Sequence, residues 1–176
     1  VFRSKGVGWI PYKTGVRKIL EVIKNYKNQN FPSDELFKVY IEHPITFTTK
    51  YFSDNLDQLD SSFVFYLMYD RTRIIRTNDI DHIMPKNILE EKDFDWNLIN
   101  SIKNFQLLDY GTNRGTKNGK PFKEWINNPE YVKDKSNYIK IHLIPSDETL
   151  WEEDKFKEFS EERAKLIISK IDQYVK

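Results

Sequence analysis

One short segment departs from the helical periodicity that governs most of the chain. Asp79-Ile80-Asp81-His82-Ile83 begins by alternating polar and apolar residues, the pattern of a half-covered strand. Pro85 closes it, because proline has no N–H to give to a ladder. A second short strand is expected at Phe105-Gln106-Leu107-Leu108. The two form an antiparallel hairpin, and an isolated hairpin is only marginally stable in water, so other elements must cover it. The ionisable pair Asp81-His82 then stands at a strand end, where the chain turns away.

The surrounding elements read as helices. Val16, Ile19, Leu20 and Ile23 make an apolar stripe within residues 12–29. Ser33 can cap a second helix, with Glu35 in its first turn and Pro44 breaking it after His43. Residues 60–71 predict a buried helix, although their aromatic and β-branched residues also suit a strand. Residues 87–103 read as a polar connector. The stretch "GTNRGTKNGKPF" supplies a Gly-rich turn into a helix around Lys120–Ile126, broken at Asn128-Pro129. A long amphipathic helix is expected from Glu152 to Val175, with Phe156, Phe159, Leu166, Ile167 and Ile171 on its apolar side. The fold class is therefore α+β and mostly helical. It divides into an N-terminal helical part (1–75), a central motif (76–128) and a C-terminal helical part (129–176) of one domain.

Composition narrows the function. With 39% hydrophobic and 31% charged residues the chain is globular, and no apolar run is long enough to span a bilayer. It has no cysteine, which excludes disulfides and thiolate zinc sites and suits a cytoplasmic location. A net charge of +1 does not announce a nucleic-acid binder, but local charge is uneven. Arg71, Arg73 and Arg76 precede the motif, Arg114, Lys117, Lys120 and Lys123 follow it, and the tail from Ser146 is rich in Glu and Asp. Such a dipolar chain can present one basic face. Each of these cations is equally well explained as an ordinary solvated side chain. The chain begins at Val1, which reads as a piece of a longer protein.

A strand carrying Asp81-His82, a strand led by Lys103-Asn104, and a turn carrying Asn113 resemble the HNH, or ββα-metal, nuclease motif. Asn113 stands where the last His of that motif often stands, a variant also found in the HNH domain of the RNA-guided CRISPR nuclease. Over residues 76–126, "DHIMPKN" and "IKNFQLLDYGTNRGTKNGKPF" are similar to the C-terminal HNH domain of GmrSD-type modification-dependent (type IV) restriction proteins. Lys103-Asn104-Phe105 replaces that family's usual Gly-Asn-Leu.

The resemblance implies a central ββα-metal hairpin and helix, and a DNA endonuclease of restriction or phage defence. It implies His82 as general base, Asp81 and Asn113 as ligands of one Mg²⁺ or Mn²⁺, and Asn104 orienting the loop after His82. It further implies phosphate contacts from Arg114, Lys117, Lys120 and Lys123, and an N-terminal recognition or regulatory partner. Cleavage of RNA stays open. So does a different class, a non-catalytic helical interaction module carrying a degenerate hairpin.

Other residues carry plainer readings. Asp79 is expected to cap or to pair with an arginine. His43 fits a helix end, His142 a strand or core position, and Trp96, Trp125 and Trp151 packing rather than base stacking. Arg163 on the last helix is expected to pair with a neighbouring Glu, with phosphate the alternative.

Overall fold

The hairpin joins β1 (Asn78–His82) to β2 (Phe105–Asp109) in a two-stranded antiparallel sheet. Asp79 stands opposite Leu108, Asp81 opposite Gln106 and His82 opposite Phe105. Because side chains alternate across a strand, Gln106 and Leu108 share a buried face while Ile80 on the other face is 51% exposed. The structure, a computed structural model, describes residues 17–42, 49–69, 78–109 and 111–174. Arg71, Arg73, Arg76 and His43 lie outside them.

Helices make up most of the remainder: α1 (Arg17–Asn25), α2 (Ser33–Glu42), α3 (Thr49–Asn55), α4 (Ser61–Met68), α5 (Lys86–Glu91), α6 (Trp96–Ile99), α7 (Phe122–Asn127), α8 (Lys135–His142) and α9 (Phe156–Asp172). The chain is thus α+β and mostly helical, and among the described residues no helix is long and apolar enough to cross a membrane. Two compact units divide at Thr48/Thr49, with α1 and α2 in the first and the hairpin and later helices in the second. Of the apolar stripe expected there, Val16 lies outside the described residues, Ile19, Leu20 and Ile23 fall on α1, and Leu20 and Ile23 are exposed.

Three local expectations change. The connector after β1 carries α5 and α6, which are too short to show a full apolar period. Leu89 and Ile99 anchor them in the core, and the Asp95 carboxylate caps α6 by accepting from the Asn97 and Leu98 N–H groups at 2.9 and 3.0 Å. The last helix starts at Phe156, after 3₁₀ turns at Glu148–Trp151 and Glu153–Lys155. Those turns do packing work: the Trp151 indole donates to the Pro145 carbonyl at 2.8 Å, and the buried Glu153 carboxylate accepts the Phe122 N–H at 3.1 Å. His142 closes a helix rather than lying in a strand, and Leu143 ends that helix in the left-handed region at φ 51°.

The core gathers Ile83, Met84, Leu89, Ile99, Phe122, Trp125, Trp151, Phe156 and Phe159. Ile83 and Met84 directly follow His82 and are fully buried, so the chain leaves the strand end under firm constraint. Arg163 on α9 completes this arrangement in a way the sequence does not suggest. It is fully buried and pairs with no glutamate; its guanidinium donates to the carbonyls of Ile102 at 2.8 Å, Phe105 at 2.7 Å and His142 at 3.3 and 3.2 Å. Burial lowers its pKa to about 10, which leaves it charged at neutral pH. Arg163→Met should strand three buried carbonyls and cost on the order of 3 kcal/mol or more. Arg163→Lys should recover little, since an ammonium lacks the fork that spans the three acceptors. Urea unfolding of both variants checks this; a loss within about 0.5 kcal/mol would show that the arginine is not the clasp described.

Candidate active site

The strand end is shaped by one amide. Asn104 is fully buried; its Oδ1 accepts the Met84 N–H at 2.9 Å, and its Nδ2 donates to the carbonyls of Met84 at 3.1 Å and Ile99 at 3.2 Å. With the Ile83 N–H donating to the Asn104 carbonyl at 2.7 Å, the loop after His82 is held from both sides. An aspartate here could not donate, and a leucine could neither donate nor accept.

Asp81 and His82 point to opposite faces, as neighbours on a strand must. The His82 ring meets Phe105 edge-on at 5.0 Å, and its Nε2 lies 3.1 Å from Asn100 Oδ1. Burial pulls its pKa below the ordinary histidine value; the Asn100 hydrogen bond and the Asp81 charge oppose that only in part. The imidazole is therefore neutral at neutral pH, the form that can accept a proton. Asn100 itself is fixed by donating to the Trp96 carbonyl at 2.9 Å.

Asp81 turns inward. Its Oδ2 accepts from Gln106 Nε2 at 2.8 Å and is 2.7 Å from Lys117 Nζ. Lys117 is only 2% exposed and also donates to the His82 carbonyl. Burial pulls the Lys117 pKa below the lysine range, with the Asp81 carboxylate opposing. Lys117 thus sits inside the protein against Asp81, not on the surface where a DNA phosphate would meet it.

Lys117 reaches that place through the backbone. Thr112–Lys117 is a six-residue π-helical turn, started by Asp109, whose carboxylate accepts from the Thr112 N–H at 3.0 Å and hydroxyl at 2.5 Å. Asn118 at φ 30° and Gly119 at φ 75° then break the turn before α7, and the latter angle favours glycine. Asn113, half-buried, lies in this turn rather than at the start of a continuous helix.

The other predicted cations are more exposed. Arg114 is 65% exposed and 3.6 Å from Asp79, the arginine pairing expected for that aspartate. Lys120 donates to the Thr116 carbonyl at 2.6 Å and lies over the Tyr131 ring. Lys123 pairs with Glu152 at 2.5 Å. Trp125 and Trp151 are core residues, but Trp96 is 61% exposed.

Asp81 and Asn113 offer hard oxygen donors, the type Mg²⁺ and Mn²⁺ take, and magnesium sites commonly use one or two protein ligands plus water and phosphate. Since Oδ2 is engaged by Lys117 and Gln106, Oδ1 is the carboxylate oxygen left to a cation. The donor types fit; the adjacent ammonium reduces the affinity such a site can reach. A separate cleft of about 420 Å³ lies behind β2, lined by Tyr69, Trp125, Tyr131, Tyr138 and His142 among others, and Asp81, His82 and Asn113 do not line it.

Asn100, Gln106 and the inward turn of Lys117 escape a sequence reading. Only Gln106 leaves a signal: one polar residue at a covered position of an otherwise apolar strand. Comparison with known protein families and with curated proteins gives no match.

Proposed function

We propose that the chain is an HNH-type, metal-dependent endonuclease module that hydrolyses DNA phosphodiester bonds, within a cytoplasmic restriction or phage-defence system. The observation that carries this reading is the strand end itself. A half-buried imidazole and an inward carboxylate follow one another at the strand end, on its two faces, and the Asn104 amide clamps the loop after His82 to the core.

In this reading His82 takes a proton from the attacking water, and its contact with Asn100 fixes the ring while it does so. Asp81 and Asn113 are the residues that would hold a divalent cation, and when bound it would supply neutralisation of charge on the scissile phosphate and its leaving oxygen. Asn104 keeps the loop in place, and Arg114, Lys120 and Lys123 supply the DNA-facing charge. Lys117 acts differently: it holds Asp81 Oδ2 and the His82 carbonyl, and so ties the two halves of the site together. The remainder of the machinery, a recognition or regulatory partner, is supplied from outside this chain.

Asp81→Asn removes the ligand charge, so its cleavage defect should be partly relieved by raising Mn²⁺, whereas a defect in His82 should not respond to metal. Titrating Mn²⁺ in a plasmid-nicking assay on both variants tests the assignment. Equal metal responses would undo the division of roles. Raising the salt concentration should weaken DNA binding through counterion release.

A further inference from the structure

Beyond the two residues that hold Asp81 directly, a chain of hydrogen bonds leads away from the site. Tyr138 on α8 donates its hydroxyl to Gln106 Oε1, and Gln106 Nε2 donates to Asp81 Oδ2 at 2.8 Å. Gln106 is fully buried, so both ends of its amide must be satisfied inside the protein. The carboxylate fixes the amide's orientation: it can only accept, so the NH₂ end faces Asp81 and Oε1 is left to the Tyr138 hydroxyl, which donates to it. A flipped amide would press a carbonyl oxygen against Asp81. Tyr138 is itself braced, with its ring 5.2 Å from Trp125 and 4.2 Å from His142. His142 Nδ1 in turn lies 2.9 Å from the Tyr69 hydroxyl.

We propose that Gln106 and Tyr138 are positioning residues for Asp81: Tyr138 locks the Gln106 amide, and Gln106 holds Oδ2 so that Oδ1 is the oxygen presented to a cation. The proposal rests on the nuclease reading above for its consequence, though not for its geometry. Lys117 alone does not do this work. An ammonium attracts the carboxylate without a fixed plane, whereas an amide whose far end is pinned donates along one direction. Groups that orient a metal ligand in this way commonly affect metal affinity or activity by about 10–100-fold.

The test compares Tyr138→Phe and Gln106→Met with the wild-type chain by calorimetric Mn²⁺ titration, single-turnover plasmid cleavage and thermal unfolding. Tyr138→Phe should fold, weaken Mn²⁺ about 10-fold and slow cleavage to match, with DNA affinity unchanged. Gln106→Met should weaken Mn²⁺ further, towards about 100-fold. Folded variants with wild-type Mn²⁺ affinity would overturn the proposal.

If the wild-type chain neither binds Mn²⁺ nor cuts, the nuclease reading fails, and a double-mutant cycle decides the positioning separately. The drop in Tm caused by Tyr138→Phe should then be smaller in an Asp81→Ala background, because the two residues couple through Gln106. Equal drops in both backgrounds would show that Tyr138 does not act on Asp81.

Discussion

Lys117→Met is expected to cost about 3–5 kcal/mol of stability in the presence of a chelator, the usual result of removing one partner of a buried pair. Lys117 is 2% exposed and the Asp81 side chain 12%, so water does little to replace the lost ammonium. Asp81 would keep only the Gln106 amide, and the His82 carbonyl would lose its donor. Lys123→Met is the control. Its partner Glu152 is 54% exposed, and the change should stay within about 0.5 kcal/mol.

A second arm uses the same variant. With the competing ammonium gone, Mn²⁺ should stabilise Lys117→Met more than it stabilises the wild-type chain, since a ligand of the folded state adds RT ln(1 + [L]/Kd). Urea unfolding with and without Mn²⁺ measures both effects. Lys117→Met as harmless as Lys123→Met would mean that the buried pair contributes nothing.

His82→Ala is expected to slow DNA cleavage by about 10²–10⁴-fold, the range for a positioned general base. The fold should survive, because the half-buried ring loses only its edge contact with Phe105 and its bond to Asn100. Mn²⁺ affinity should change little, since Asp81 points to the other face of the strand. Wild-type cleavage should decline as pH falls through the His82 pKa, because an imidazolium cannot take a proton from water. Burial has lowered that pKa, so the decline should come at more acid pH than for an ordinary histidine. Circular dichroism, calorimetry and a pH–rate profile on the same preparation separate these effects.

The hairpin was legible because its signal is local. Alternation around Ile80 and Ile83, the proline at 85 and the apolar run at 105–108 each act over a few residues, and β1 and β2 lie within a residue or two of the expected strands. Asn104 was legible only through the resemblance to the HNH motif, which implies an asparagine at the head of the second strand orienting the loop after His82. Lys117 was not. A lysine in a Gly-rich turn reads as solvated, and its burial depends on a π-helical turn that no apolar pattern announces. Arg163 was missed because its partners are backbone carbonyls, which every residue carries. The relay from Tyr138 through Gln106 joins segments far apart in the chain, and only Gln106's place on a covered strand face hinted at it.

The most direct measurement of the central claim is single-turnover nicking of a supercoiled plasmid by the wild-type chain and by His82→Ala, each with Mg²⁺, Mn²⁺ or EDTA. The nuclease reading predicts nicking by the wild-type chain with either metal, none in EDTA, and a rate about 10²–10⁴-fold lower for His82→Ala at equal loading. Nicking by His82→Ala at the wild-type rate, or none by a wild-type chain shown to bind both DNA and Mn²⁺, would contradict it. The hairpin would then be the docking element of an interaction module.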